Sequence, residues 1–231
     1  MTYGIRKALC ACGAMLLCWA TVCAEDTAAA GRSAWRSSYL ARVEALALLQ
    51  TLNADLLSHD SATLTLEHWC DVHRLASPPR VIAERVRGVD KLPSPEQRRE
   101  LGVTPTEPVR YRRVKLLCGT VVLSEADNWY VPGRLTAEMN MSLDTTDVPF
   151  GKVVQPLHFQ RHTLSSKLLW RPLPEGWEMN PTPKNQDGAM LSVPTQVLEH
   201  RAVLTLPDGT PFSEVVETYT DNVLAFPEPT A

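Results

Sequence analysis

A chain of 231 residues, 44% hydrophobic and 21% charged, is long enough to bury a sizeable core in one domain. Its formal net charge of -3 offers no basic excess to neutralise a phosphate backbone, so nucleic acid is excluded as a general partner. The 18 prolines, many of them between 77 and 110 and between 170 and 230, suit short strands and loops better than long helices.

Residues 1–24 read as a cleaved secretory signal peptide. Arg6 and Lys7 precede an apolar run from Ala8 to Ala20, and Val22-Cys23-Ala24 offers small residues before Glu25-Asp26. The run is short for a bilayer span, so no stable membrane insertion is expected after cleavage. A periplasmic or secreted protein follows, expected to be a monomer. Cys10, Cys12, Cys18 and Cys23 leave with the signal, and only Cys70 and Cys118 remain. In an oxidising compartment these two could pair, or they could be two small buried hydrophobes.

Residues 25–33 form a flexible leader, and 34–228 a single domain. Trp35, Tyr39, Val43, Leu46 and Leu56 recur at helical spacing, which predicts a helix over Ala34 to Leu57 with Ser33 as its N-cap. Asp60-Ser61 restarts a second helix, which Pro78-Pro79 ends. Residues 80–88 alternate as a first strand. A proline-rich loop follows, with a helical turn around Pro95 to Leu101. Arg110 to Cys118 and Val121 to Tyr130 form an antiparallel pair, and Pro132 to Asn140 opens like a short helix. Asp147 to Lys152 is a turn, and His158 to Leu169 a strand. Pro172 to Pro194 is an irregular insertion. Gln196 to Leu206 and Pro211 to Tyr219 make a hairpin across Asp208-Gly209. The class is α+β: an antiparallel sheet of about six strands with two or three N-terminal helices packed on it.

Arg110, Arg112, Arg113 and Lys115 crowd one strand, which suggests either an anion to bind or a basic edge that deters pairing. Arg113 shares a face with Lys115 and Leu117, and Arg112 with Val114 and Leu116. In the last strand Glu214 and Glu217 fall on opposite faces, one outward and one inward. An inward glutamate must be paired or protonated. It could form a structural ion pair with an arginine or one end of a ligand pocket. His158 and His162 have no companions that complete a metal set.

The chain resembles the chorismate lyase family, whose fold is shared with effector-binding domains of some bacterial transcription regulators. Asp60-Ser61-Ala62-Thr63 is similar to that family's Asp-Ser-Met-Thr junction. Arg113 to Cys118 is similar to a strand ending Arg-Glu-Ile-Leu-Leu-Cys, and Val131-Pro132 to a Val-Pro that closes the next strand. Pro149-Phe150-Gly151-Lys152 is similar to a Pro-Leu-Gly-Arg turn. Gly209-Thr210-Pro211 with Glu217-Thr218-Tyr219 is similar to Gly-Lys-Pro followed by Glu-Leu-Phe. The resemblance implies Arg113 as the holder of a ring carboxylate and Glu217 as the group beside the leaving enolpyruvyl ether. Ala62, Phe150 and Gly151 would bind substrate. It implies a small aromatic carboxylate as partner, no metal or organic cofactor, and cleavage of chorismate to 4-hydroxybenzoate and pyruvate. The alternative is an exported, non-catalytic binder of such a molecule. Val114 stands where the family has an acidic residue.

Overall fold

In a computed structural model of the chain, Met1 and residues 35–180 and 189–229 are described. The signal peptide, the leader, Ser33 and Ala34 therefore lie outside the described residues, Met1 apart, as does the stretch 181–188 of the expected insertion. Among the described residues no helix is long and apolar enough to cross a membrane.

Six antiparallel strands form one sheet. In chain order they are β1 (Val81–Arg85), β2 (Arg110–Cys118), β3 (Val121–Tyr130), β4 (Gln160–Leu168), β5 (Gln196–Thr205) and β6 (Pro211–Thr220), and their spatial order is β1-β2-β3-β6-β5-β4. The α+β class expected from the sequence is the one found. The β2–β3 and β5–β6 hairpins carry the alternation that predicted them. Gly119 turns the first at φ 59, and a Cβ there would lie 2.8 Å from the Ala76 Cβ, so both conformation and space require glycine.

Helices α1 (Tyr39–Ser58) and α2 (Ala62–Val72) bury Leu49, Leu52, Leu56, Leu66 and Trp69 in one core with Val114, Leu116, Ala126 and Tyr219 of the sheet. The start of α1 differs from the expected Ala34. Residues 35–37 are extended instead: Ser37 N–H donates to Ala189 O, and Leu191 N–H donates to Trp35 O. Ser38, not Ser33, caps the helix by accepting from the Ala41 N–H. The expected turn at Asp147 to Lys152 contains a short helix, α5 (Phe150–Val154). The segment after Pro132 is a 3-10 turn followed by α4 (Ala137–Thr145).

The opposite face of the sheet is also covered. Helix α3 (Pro95–Glu100), held by a Ser94–Gln97 capping box, and the loop around it pack Leu101 and Val103 on Trp129, Tyr111 and Val216. The two glutamates do face opposite sides, but neither is outward: Glu214 is fully buried under α3 and Glu217 under the α1–α2 layer.

Cys70 of α2 and Cys118 at the end of β2 form a disulfide, with Cα atoms 6.5 Å apart. The bridge ties the helical layer to the sheet across a separation of 48 residues. Loop-closure entropy for a ring of that size is worth about 4 kcal/mol. Cys70→Ala/Cys118→Ala is expected to lower the unfolding free energy by about 2–4 kcal/mol, read from urea titrations of both proteins. An unchanged urea midpoint would count against the bridge.

Candidate functional site

The cavity between the helical layer and the sheet starts from strand parity. Val114 pairs with Ala126, Ala126 with Glu217, and Glu217 with His200, so one row of side chains crosses four strands toward the helices. The next row contains Arg112, Asn128, Val215 and Ala202. Over these rows lie the first residues of α2 (Ala62, Thr63), its N-cap Ser61, and the start of α5 (Phe150, Gly151). They approach closely because Gly151 has no side chain: a Cβ there would come 3.2 Å from Ser61 Oγ and 3.5 Å from Thr63 Oγ1. The space left is a narrow cavity of about 40 Å3. Val114, Leu116, Ala126, Leu204 and Val215 make its apolar wall, and Phe150 and Phe159 flank it.

Its polar end is an ion pair. Arg161 of β4 reaches past β5, and its Nη2 donates to Glu217 Oε2 at 2.5 Å, with side chains only 4% and 7% exposed. The Tyr219 hydroxyl donates to the same carboxylate oxygen at 3.2 Å. Burial works against the Arg161 charge, but the Glu217 carboxylate more than compensates, and the guanidinium pKa is raised. Burial and the adjacent Glu217 hold the Tyr219 hydroxyl well above its ordinary pKa, so it stays a donor. Arg161 Nε is buried without a hydrogen-bond partner. The N–H groups of Ala62 and Thr63, at the first positions of α2, have no intrahelical acceptor. The cavity thus offers hydrogen-bond donors at a buried polar end and an apolar body.

Ala62, Phe150, Gly151 and Glu217 all line this cavity. Arg113 does not, which corrects its assignment as the carboxylate holder. It lies on the other face of the sheet, where Nη2 donates to Glu125 at 2.7 Å and Nη1 lies 3.7 Å from Asp127. The cause is parity. Arg113 pairs with Asp127, which pairs with Val216, one residue out of step with the row that carries Glu217. The arginine of β2 on the cavity side is Arg112. Its guanidinium turns to Val148 O, at 3.3 Å, and lines a separate depression.

The cation that accompanies Glu217 is Arg161, which sequence reasoning passed over. The run Phe159-Gln160-Arg161-His162-Thr163 carries no local signal for this role, because β4 pairs with β5 and Glu217 stands one strand beyond, on β6. Among the described residues no group of His, Cys, Asp and Glu could hold a metal ion.

The fold and cavity define an α+β domain with an enclosed, ion-paired site between its helices and its sheet. No protein-family model matches the chain. It is 55% identical over 207 residues, 89% of this chain and 86% of the other, to "Uncharacterized protein y4mC" of Sinorhizobium fredii (strain NBRC 101917 / NGR234), and it belongs to the same family. Among solved structures it is similar to PhnF from Mycobacterium smegmatis (12% identity, 76% of this chain and 70% of that one, TM-score 0.46). It is also similar to the effector domain of PhnF from the same organism (14% identity, 70% and 88%, TM-score 0.43). A third is a GntR-family transcriptional regulator from Enterococcus faecalis V583 (12% identity, 59% and 91%, TM-score 0.38).

Behind the ion pair sits His200, fully buried, its Nε2 2.7 Å from Asn53 Oδ1 and its Nδ1 unpaired. Burial lowers its pKa to about 4; Glu217 works in the opposite direction and Arg161 in the same one. With the folded pKa below the ordinary 6.5, the stability is complete above pH 6.5 and is lost as pH falls toward 4, by about 3 kcal/mol in total. His200→Gln is expected to flatten the pH dependence of stability in that window. Urea midpoints of the two proteins at pH 7 and pH 4.5 measure this, and parallel profiles would contradict it. Arg161→Met or Glu217→Gln alone leaves a buried charge unpaired and is expected to cost about 3–5 kcal/mol, with the double variant costing less than the sum. A double-mutant cycle in urea reads the coupling.

Proposed function

We propose that the cavity binds a small ring carboxylate, with the ring between Phe150 and Phe159 and the carboxylate at the Arg161 end. The observation that carries this reading is the buried Arg161, whose Nε has no hydrogen-bond partner and which lines the cavity beside the apolar wall of Val114, Leu116, Ala126, Leu204 and Val215, with Asp60, Ser61, Thr63, Asn128 and Glu217 as its other polar lining. An unpaired buried donor is costly, and a ligand oxygen relieves that cost. The Cys70–Cys118 disulfide supports an oxidising compartment, so the binder reading is that of an exported protein.

A second reading, the chorismate lyase, has its own support. Glu217, Ala62, Phe150 and Gly151 line one cavity, and these are four of the five residues the resemblance selects. As a lyase the site would break the ether bond between ring and enolpyruvyl group. The ring proton leaves as the ring becomes aromatic, and the enolpyruvyl carbon gains a proton to give pyruvate. Glu217 is the group positioned for proton transfer. Against this, its carboxylate is already engaged by Arg161 and Tyr219, and the arginine assigned to the ring carboxylate lies on the other face. The binder reading therefore ranks first.

One experiment separates them. The mature protein is titrated with 4-hydroxybenzoate by calorimetry and assayed for pyruvate release from chorismate. Binding without pyruvate release is expected, together with at least tenfold weaker binding by Arg161→Gln. Pyruvate release that Glu217→Gln abolishes would establish the lyase instead. Neither binding nor release would remove both.

A further inference from the structure

A second set of basic side chains lies outside the cavity and shares no lining residue with it. It borders an open depression of about 430 Å3, lined by Arg85, Asp90, Lys91, Arg110, Arg112 and Asp144 together with Tyr130. Most of these charges are accounted for. Arg110 pairs with the Asp144 carboxylate at 2.9 Å, and Lys91 pairs with Asp127. Two guanidiniums remain. Arg85 donates only to the backbone carbonyl of Asp144 in the last turn of α4. Arg112 is 4% exposed, donates to the Val148 carbonyl at 3.3 Å, and keeps its Nε buried and unpaired. Among the described residues neither makes an ion pair.

This arrangement is unfavourable as it stands. A buried guanidinium without a counter-charge costs several kcal/mol, and a neighbouring cation adds to it. Burial and then Arg85 lower the Arg112 pKa to about 10, while Tyr130, Asp147 and Asp144 oppose that shift. Structural use explains part of the pair. Arg85 satisfies a carbonyl at the C-terminal end of α4, but a carbonyl supplies no net charge. The missing component is an anion.

We propose that this depression is an oxyanion site for a phosphoryl group, held by Arg85 and Arg112. Two guanidinium forks present more donors than the two oxygens of a carboxylate use, and the three terminal oxygens of a phosphoryl group match them better. The site is independent of the ring-carboxylate cavity. The Tyr130 and Phe150 rings, 5.6 Å apart, each border one of the two spaces.

The test uses the mature protein at fixed ionic strength, with chloride replaced stepwise by inorganic phosphate, by phenyl phosphate or by acetate. Melting temperature and calorimetry are the readouts. Phosphate or phenyl phosphate is expected to raise the melting temperature where acetate does not. A response to both would mark free phosphate as a sufficient ligand, and a response to phenyl phosphate alone would mark an organic monoester. Arg85→Gln, a change at a half-buried position outside the hydrophobic core, should weaken binding at least tenfold. Arg112→Gln should do the same if it folds, and Arg85→Gln decides if it does not. Arg113→Gln removes one positive charge from the other face and should bind like wild type. The Arg161→Met/Glu217→Gln double variant should retain the phosphate response. Phosphate no better than acetate, equal losses in Arg113→Gln and Arg85→Gln, or loss of the response in the double variant would each overturn the proposal.

Discussion

A sheet covered on both faces forces its charged side chains to find partners within the protein. That constraint organises this molecule. With α1 and α2 on one side and α3 on the other, the inward glutamates of β6 have no route to water. Glu217 is met by Arg161 and Tyr219. Glu214 is met by Arg201 at 2.8 Å and Gln97 at 3.2 Å, with Glu100 held by the same arginine. Burial and then Glu214 push the Glu100 carboxyl up. The same strand therefore carries two differently built polar centres, one per face. The Glu217 centre opens onto a cavity.

Much of this was legible in the sequence. The β2–β3 hairpin has the expected bounds at both strands, because alternation and a glycine-containing link are local signals. The opposite facing of Glu214 and Glu217 followed from their odd separation alone. The site was harder. Choosing Arg113 over Arg112 depended on short motif matches, and the face of a strand changes with every residue. Parity with the apolar Val114 and Leu116 pointed to Arg112 as the inward arginine. Arg161 was not legible at all, because its partner stands two strands away and the link depends on the order β6-β5-β4. Local pattern does not encode which strands become neighbours.

The start of α1 shows a second kind of miss. Helical periodicity runs back through Trp35, yet residues 35–37 are extended. Their backbone groups pair with residues 189 and 191, more than 150 positions later. Trp35 is fully buried and its Nε1 donates to Phe226 O at 2.8 Å. An apolar residue at helical spacing was kept buried by a tertiary contact rather than by the helix. Tertiary pairing overrode a correct local pattern.

The two proposed sites differ most in charge balance, and that difference sets how each would recognise a ligand. In the cavity Arg161 and Glu217 neutralise each other before anything binds, so an incoming carboxylate meets directional donors rather than a net positive field. Selectivity there comes from shape and hydrogen-bond geometry, and such buried contacts are little screened by salt. At the depression neither Arg85 nor Arg112 makes a direct ion pair among the described residues, although Asp90 and Asp144 border it, and the space is open to solvent. Attraction there acts over longer range and weakens as ionic strength rises. One fold therefore holds a charge-balanced enclosed site and an unbalanced open one on the same side of its sheet. The residue that separates them is Phe150, and the segment that carries it also holds Arg112 through Val148.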